Sequence, residues 1–379
     1  MIPYGKQYID EEDIKEVLGA LRSDWITQGP RVKEFEDALC AFTGAEYAVA
    51  VSSGTAALHI AALSAGINEG DEVITSPITF AASANCVLYC GGKSIFADID
   101  SAVVNIDPEE IEKKITPRTK AIIPVHFAGH PCDMEKINTI AKKYGLIVIE
   151  DAAHALGAEY KGSKIGSCEY CDMTILSFHP VKHITTGEGG AVLTNDKALY
   201  DKLVLFRSHG ITKDCPDGDG AWYYEMRALG YNYRITDIQC ALGTSQLRKL
   251  DGFIKRRKEI AGVYDNAFCD SPVFDIPEET EDVSSSRHLY VIRLRGENQQ
   301  SRKDIFDELR AKGIGVQVHY VPVHYHPYYR ENGYKDVSYP QAESYYASAI
   351  SLPLYPAMSD DDVRDVVRIV KEVTNKYLR

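Results

Sequence analysis

Residues 177–190 read Ser177-Phe-His-Pro-Val-Lys182-His-Ile-Thr-Thr-Gly-Glu-Gly-Gly190, a stretch that places one lysine in an apolar, glycine-rich segment. The residues before it (172–177) and after it (191–194) predict buried strands joined by a glycine turn. Burial lowers the pKa of an ammonium group and yields a neutral amine that can attack a carbonyl carbon. Lys182 is therefore a candidate Schiff-base nucleophile; the alternative is a surface lysine at a loop tip.

The bulk composition indicates a globular protein. The 379 residues, 45% of them hydrophobic, suffice for two domains and a large buried core. A net charge of −13 argues against a general surface for nucleic acid or anionic membranes. Acidic residues at 10–13 stand where a signal peptide needs an apolar core, and no apolar run of about 18 residues follows. We expect a cytoplasmic protein with no nucleic-acid or membrane partner.

Cysteine and histidine patterns do not indicate a metal site. The nine cysteines are scattered, which favours reduced thiols over a disulfide framework. Cys168 and Cys171 have the C-x-x-C spacing but lack the second pair of a zinc site. The histidines at 319, 324 and 326 have no acidic or cysteine partner nearby in the sequence. We expect no metal.

Short apolar runs alternate with amphipathic helical patterns over the first part of the chain. This alternation predicts an α/β fold with a mostly parallel sheet covered by helices on both faces. A long helix predicted over 236–268 leads to strands at 288–294 and 316–321 and to helices near 303–312 and 359–377. We therefore expect a large domain over 1–245 and a smaller α+β domain over 246–379. The apolar runs of the large domain are 47–51, 72–75, 94–97, 121–125, 146–149, 172–177 and 191–194.

Two further motifs follow predicted strands, at the edge of the sheet where ligands of such folds bind. Gly54 and Thr55 lie in a small-residue turn before a helix, where backbone amides and the helix dipole favour an anion. The alternative is an ordinary tight turn. Asp151 follows the strand at 146–149 and needs a cationic partner if it is buried, such as a pyridinium nitrogen. The alternative is a helix N-cap.

Three motifs together carry a family resemblance. They are S-F-x-x-x-K-x-I-T-T-G-E-G-G at 177–190, E-D-A-A-[HQ] at 150–154 and G-x-N-x-R-x-x-[DE]-x-Q at 230–239. The chain resembles, over nearly its whole length, the DegT/StrS group of sugar aminotransferases, which are fold-type I pyridoxal phosphate (PLP) enzymes. That resemblance implies a mostly parallel seven-stranded sheet between helices. A dehydrating branch has histidine in place of the motif lysine; since Lys182 is present, an aminotransferase is expected.

The resemblance also implies roles for individual residues and a homodimer with shared active sites. Lys182 would carry PLP, and Asp151 would face the pyridinium nitrogen. Phe80, in Pro77-Ile-Thr-Phe80, would stack on the ring, although it could equally belong to the core. The remaining implied cofactor contacts are His154 at the ring, Gly54, Thr55 and Ser177 at the phosphate, and Asn232 at the phosphate of the neighbouring subunit.

The substrate expectation comes from similarity to the branch of the family that acts in pseudaminic acid synthesis. It implies L-glutamate as amino donor and a UDP-linked 4-keto-6-deoxy sugar as acceptor. Alternatives are a 4-keto sugar of the perosamine or aminoarabinose type, or a PLP-binding regulator without turnover. The polar loop at 213–220 is a lid candidate. The implied sugar-nucleotide residues are Tyr4, Asp24, Trp25, Ile26, Thr27, Gln317, Val318, His319 and Tyr320.

Overall fold

A computed structural model describes residues 1–216 and 218–377 of the chain. Its helices are α1 (Glu11–Leu21), α2 (Pro30–Thr43), α3 (Gly54–Ser64), α4 (Ala82–Tyr89), α5 (Pro108–Lys114), α6 (Met134–Tyr144), α7 (Lys197–Arg207), α8 (Asp237–Arg248), α9 (Leu250–Phe268), α10 (Arg302–Ala311), α11 (Pro327–Tyr329), α12 (Pro340–Ser348) and α13 (Asp360–Thr374).

The strands are short. They are β1 (Tyr47–Val51), β2 (Glu72–Thr75), β3 (Lys93–Phe96), β4 (Thr119–Ile123), β5 (Ile147–Asp151), β6 (Glu159–Tyr160), β7 (Ser163–Lys164), β8 (Met173–Ser177), β9 (Gly190–Thr194), β10 (Ile211–Thr212), β11 (Glu225–Met226), β12 (Phe274–Asp275), β13 (Val283–Ser284), β14 (Tyr290–Leu294) and β15 (Ala349–Leu352).

A seven-stranded sheet organises the first part of the chain, in the order β1-β9-β8-β5-β4-β2-β3. Strand β9 runs antiparallel to both of its neighbours, and the other pairs are parallel. The mostly parallel seven-stranded sheet expected from the sequence is therefore confirmed. Because β5 and β8 are parallel neighbours, their carboxyl ends lie side by side and position the residues that follow them.

Both faces of this sheet are buried. Alternate residues of a strand point to opposite faces, and in β1 Ala48 and Ala50 belong to one hydrophobic cluster while Val49 and Val51 belong to another. Phe35 of α2 lies in the first cluster, and α3 supplies much of the second. This two-sided burial explains why the strands are continuous apolar runs without polar alternation.

Two predicted elements were wrong. The helix predicted over 236–268 is two helices, α8 and α9, because Lys249 between them has a ψ of −6°. The Lys249 ammonium lies 3.0 Å from Asp13 Oδ1 of α1 and fixes this junction. The strand predicted over 316–321 is a single bridge, in which Gln317 and Ser351 exchange backbone hydrogen bonds. The chain then turns away, so that Val323 N donates to Pro77 O at 2.9 Å.

The last part of the chain forms a smaller sheet, β12-β14-β15, with antiparallel pairs. Apolar residues from α9, α10 and α13 bury this sheet in a core of its own. The boundary between 245 and 246 stays a prediction. Among the residues described, no helix combines the length and the apolar character that a membrane crossing requires.

Candidate active site

The candidate lysine lies inside the loop between β8 and β9. Backbone hydrogen bonds close this loop at its base, from Phe178 N to Gly189 O (2.9 Å) and from Thr186 N to Phe178 O (3.0 Å). Gly187 and Glu188 form the exposed tip, whereas Lys182 is partly buried. Burial lowers the pKa of Lys182 to about 8, with the Asp151 carboxylate opposing the shift. The loop-tip alternative therefore does not describe this side chain.

Asp151 ends β5 and is only 5% exposed. Its Oδ2 accepts a 2.6 Å hydrogen bond from Ser83 Oγ, and its Oδ1 accepts one of 3.1 Å from Ala153 N. Burial raises the pKa of this carboxyl group, while the Ser83 and Ala153 hydrogen bonds and the nearby Lys182 charge act in the opposite direction. Both hydrogen-bond donors are uncharged, so the carboxylate can accept a cation as a further partner.

His154 is buried close to both of these groups. Its Nε2 is 3.1 Å from Tyr320 Oη, and its ring lies 4.3 Å from that of His288, centroid to centroid. Burial, together with the Lys182 charge, holds the pKa of His154 well below its usual range, so the imidazole is neutral at neutral pH. Its Nδ1 is buried and unpartnered among the described residues.

Phe80 marks the open side of this cluster. Its side chain is 62% exposed, so the alternative that it belongs to the core is wrong. Its ring centroid lies 6.2 Å from that of Tyr320, which in turn bonds to His154. The exposed ring of Phe80 thus lies one helical turn before Ser83, and Ser83 is the hydrogen-bond partner of Asp151.

The turn before α3 fits an anion. The first intrahelical bond is donated by Ala57 to Ser53 O, so the Gly54 and Thr55 amides have no carbonyl of their own helix to bind. A Cβ on Gly54 would lie 2.9 Å from the Cβ of Ser177, which shows how closely the end of β8 approaches α3. The structure thus brings these three predicted residues together.

Asn232 lies at the surface of the single chain. Its backbone pairs with Ser208, and its side chain is exposed. The rings of Tyr231 and Tyr233 on either side of it are stacked, with their centroids 5.1 Å apart. The side chain is therefore accessible to another molecule.

The predicted sugar-nucleotide residues form separate groups. Tyr4 and His319 are in contact, with ring centroids 5.4 Å apart, and Tyr320 joins them to His154. His319 is held by a 2.8 Å hydrogen bond between Nδ1 and Ser351 Oγ, and burial lowers its pKa to about 4. Gln317 is exposed and Val318 is partly buried. Asp24, Trp25, Ile26 and Thr27 lie in a separate exposed loop before α2.

Sequence reasoning missed Ser83, Asp237 and His288. Ser83 is fully buried in α4, and its spacing from Phe80 is the one signal that could have pointed to it. In the sequence Asp237 is distinguished only as a position of the 230–239 motif, although it is fully buried and bonded to the loop before α2. His288 precedes β14 and comes from a distant part of the chain, so no local pattern could place it beside His154.

A family model for the DegT/DnrJ/EryC1/StrS aminotransferase family matches residues 7–371. The chain belongs to this family. It is an aminotransferase, and its cofactor is PLP. One solved structure of the same fold is a PLP form. The expected family and cofactor are thus confirmed, whereas the roles of single residues stay predictions.

Similar proteins come from several bacteria. The spore coat polysaccharide biosynthesis protein SpsC of Bacillus subtilis is 45% identical over 98% of this chain and 97% of its own length. UDP-4-amino-4,6-dideoxy-N-acetyl-β-L-altrosamine transaminase of Campylobacter jejuni is 42% identical over 97% of this chain and 96% of its own length. Helicobacter pylori PseC, an aminotransferase involved in the biosynthesis of pseudoaminic acid, matches in structure with a TM-score of 0.93, 37% identity and 99% coverage of both chains.

The residues present fit PLP. The buried Asp151 carboxylate, whose described donors are uncharged, suits a protonated ring nitrogen, and the amides of Gly54 and Thr55 suit a phosphate. Lys182 supplies an amine with a lowered pKa. Across residues 1–216 and 218–377, no group of at least three His, Cys, Asp or Glu side chains is arranged to hold a metal ion.

Proposed function

We propose that this aminotransferase moves the amino group of L-glutamate to C4 of UDP-2-acetamido-2,6-dideoxy-β-L-arabino-hex-4-ulose, in pseudaminic acid biosynthesis. The observation that carries the proposal is the 42% identity, over nearly the full length of both chains, to the Campylobacter altrosamine transaminase. The match to PseC adds support from a solved structure. The protein would act in the cytoplasm.

Lys182, Asp151 and His154 would carry out the chemistry with the cofactor. Bound PLP supplies an aldehyde that accepts the amino group and a ring that stabilises negative charge. Lys182 Nζ would hold the cofactor at rest and, when freed, move a proton to and from the substrate carbon. Asp151 would keep the ring nitrogen protonated. His154, neutral because of burial, would contact the ring without adding a charge.

The other predicted contacts would orient the cofactor. Gly54, Thr55 and Ser177 would bind its phosphate, and Phe80 would cover one face of the ring. Asn232 would reach the phosphate in a second copy of the chain, which makes the enzyme a homodimer with shared sites. Exposed apolar side chains on the same segment support a partner surface: Trp222 (78% exposed), Met226 (66%) and Leu229 (75%).

A second candidate is a different 4-keto sugar nucleotide. SpsC, which is named for spore coat polysaccharide biosynthesis, is 45% identical, so overall identity does not choose between acceptors. Tyr4, the loop at 24–27 and the segment 317–320 would decide this choice, since they are the predicted sugar-nucleotide contacts.

A panel of acceptors tests the proposal. The purified protein is incubated with PLP, L-glutamate and a set of UDP-, GDP- and dTDP-linked 4-keto sugars, and amino-sugar products are identified by mass spectrometry. We expect the highest kcat/KM with the UDP-linked β-L-arabino-hex-4-ulose. Faster turnover of a GDP- or dTDP-linked ketosugar would support the second candidate. If glutamate abolishes the visible absorption band of the cofactor (the cofactor band) but no ketosugar is turned over, the result would contradict both the proposal and the second candidate.

A further inference from the structure

Asp237, the first residue of α8, is a fully buried carboxylate that accepts hydrogen bonds from residues distant in the sequence. Its Oδ2 accepts from Gly29 N at 2.8 Å, and its Oδ1 accepts from Arg31 N at 2.9 Å. Both donors are backbone amides at the start of α2, where Gly29 is the N-cap and supplies no side-chain cap of its own. Asp237 therefore caps a helix that begins about two hundred positions earlier in the sequence.

The backbone around Asp237 holds the preceding loop as well. Asp237 N donates to Ile26 O at 3.1 Å, and Thr27 pairs with Thr236 in an antiparallel bridge. The fit is close at Gly29, where a Cβ would lie 2.6 Å from Asp237 Oδ1 and 2.4 Å from the Cβ of Trp25. Side-chain and backbone contacts from Asp237 thus fix both ends of the segment 26–31.

The start of α8 also contacts the loop that contains the candidate lysine. Gln239 Nε2 donates to Glu188 O at 2.7 Å, and Gln239 Oε1 accepts from Thr236 N at 3.1 Å. Asp237 and Gln239 thus connect the loop at 24–29 to the loop at 178–189 through a single helical turn. The carboxylate itself contacts the first loop and not the second, so its removal should affect the two unequally.

We propose that Asp237 is a positioning residue for the amino acceptor, holding the loop that carries Asp24 to Thr27 in the shape that binds the sugar nucleotide. The inference rests on the proposed function, which places these loop residues in the sugar-nucleotide pocket. Asp237 is fully buried and bonds to backbone amides of the loop and of α2, so it acts through the loop. It therefore contributes to recognition of the ketosugar and not to the reaction with glutamate.

The variant Asp237→Asn tests this inference in the PLP-loaded enzyme. The amide keeps one acceptor oxygen and turns an NH2 group toward the other backbone amide, so one of the two hydrogen bonds is lost. We expect the KM of the UDP-linked ketosugar to rise about 10-fold or more, the range for a lost hydrogen bond to a charged group. The rate at which glutamate bleaches the cofactor band should stay within about twofold of wild type.

Asp98→Asn is the matched control. Asp98 is likewise buried, and its carboxylate accepts hydrogen bonds from Gln341 N and Ala342 N (both 3.0 Å) at the start of α12, far in sequence from the loop at 24–29. This variant should lose comparable thermal stability with an unchanged ketosugar KM. A general loss of stability is thereby separated from a loss of acceptor recognition.

A second variant, Gly29→Ala, adds a methyl group that would crowd Asp237 Oδ1 and so disturbs the same hydrogen bonds from the side of the loop. It keeps the test available if Asp237→Asn does not fold. It should also raise the ketosugar KM and leave the glutamate reaction unchanged. An unchanged KM in both variants, or an equal loss in both half-reactions, would overturn this inference alone. A wild-type protein that reacts with glutamate but with no ketosugar would overturn the proposed function, and the inference with it.

Discussion

Ser83 Oγ donates a 2.6 Å hydrogen bond to Asp151 Oδ2 and joins the first turn of α4 to the carboxyl end of β5. Burial raises the pKa of Asp151, and this bond is the strongest of the contacts that oppose the rise. A buried serine of α4 thus helps to keep the carboxylate ionised. The ionised form is the one that a protonated ring nitrogen requires.

Replacement of Ser83 by alanine should therefore raise the pKa of Asp151 further. The acid limb of the pH profile of kcat should move to higher pH, and kcat at neutral pH should fall about 10-fold, the size of one lost hydrogen bond to a charged group. Steady-state rates measured across the pH range check this. Ser64→Ala, a buried serine of α3 whose hydroxyl is unpartnered among the described residues, is the control and should leave the profile unchanged.

Asp151→Asn should separate activity from stability. An acid whose folded pKa is raised costs stability above its unfolded pKa, because folding then buries the ionised form. The neutral amide removes that cost, so the cofactor-free variant should melt at a higher temperature than wild type near neutral pH. Its kcat should fall about 100- to 1,000-fold, as when one electrostatic stabiliser of an active site is removed. A lower Tm and a retained kcat would show that Asp151 is only structural.

Tyr320→Phe removes one hydroxyl and keeps the ring that lies near Phe80. The hydroxyl is 3.1 Å from His154 Nε2, so its loss removes the one hydrogen-bond partner of the imidazole among the described residues. We expect kcat to fall about 10-fold, with little change in Tm. Tyr329→Phe is the matched control, since Tyr329 is buried and donates a 2.7 Å bond to Asn85 Oδ1. Equal effects of the two substitutions would argue against a role for the Tyr320 hydroxyl.

The lowered pKa of Lys182 has a consequence for cofactor uptake. The neutral amine is the reactive form, and with a pKa of about 8 its fraction rises with pH through that value and then levels. The rate at which the cofactor-free protein takes up PLP should follow this curve. Stopped-flow absorbance between about pH 6 and pH 10 measures it. A rate that still climbs at the alkaline end would indicate an ordinary exposed lysine.

Local patterns were sufficient to predict the large sheet and the position of Lys182. The strands are continuous apolar runs because both faces of the sheet are covered, so β5 and β8 could be read from hydrophobicity alone. Because parallel strands have their carboxyl ends at the same edge of a sheet, the ends of β5 and β8 are expected at one edge. Asp151 and Ser177, which end these strands, could therefore be predicted at the same edge of the sheet.

Contacts between distant parts of the chain could not be predicted. His288 lies against His154, and Asp237 caps α2, through packing that leaves no periodic signal in the sequence. The break at Lys249 was also missed, because the ion pair with Asp13 of α1 depends on how α1 and α8 pack. Phe80 could be placed outside the core only once its 62% exposure was known.

Chemical trapping of the cofactor tests the central claim, that the Lys182 amine carries PLP. The protein is loaded with PLP, treated with borohydride to fix any covalent link to an amine, digested and analysed by mass spectrometry. A single label on the peptide that contains Lys182, absent from the Lys182→Ala variant together with turnover, is the predicted result. A label spread over other lysines, with activity retained by Lys182→Ala, would contradict the account.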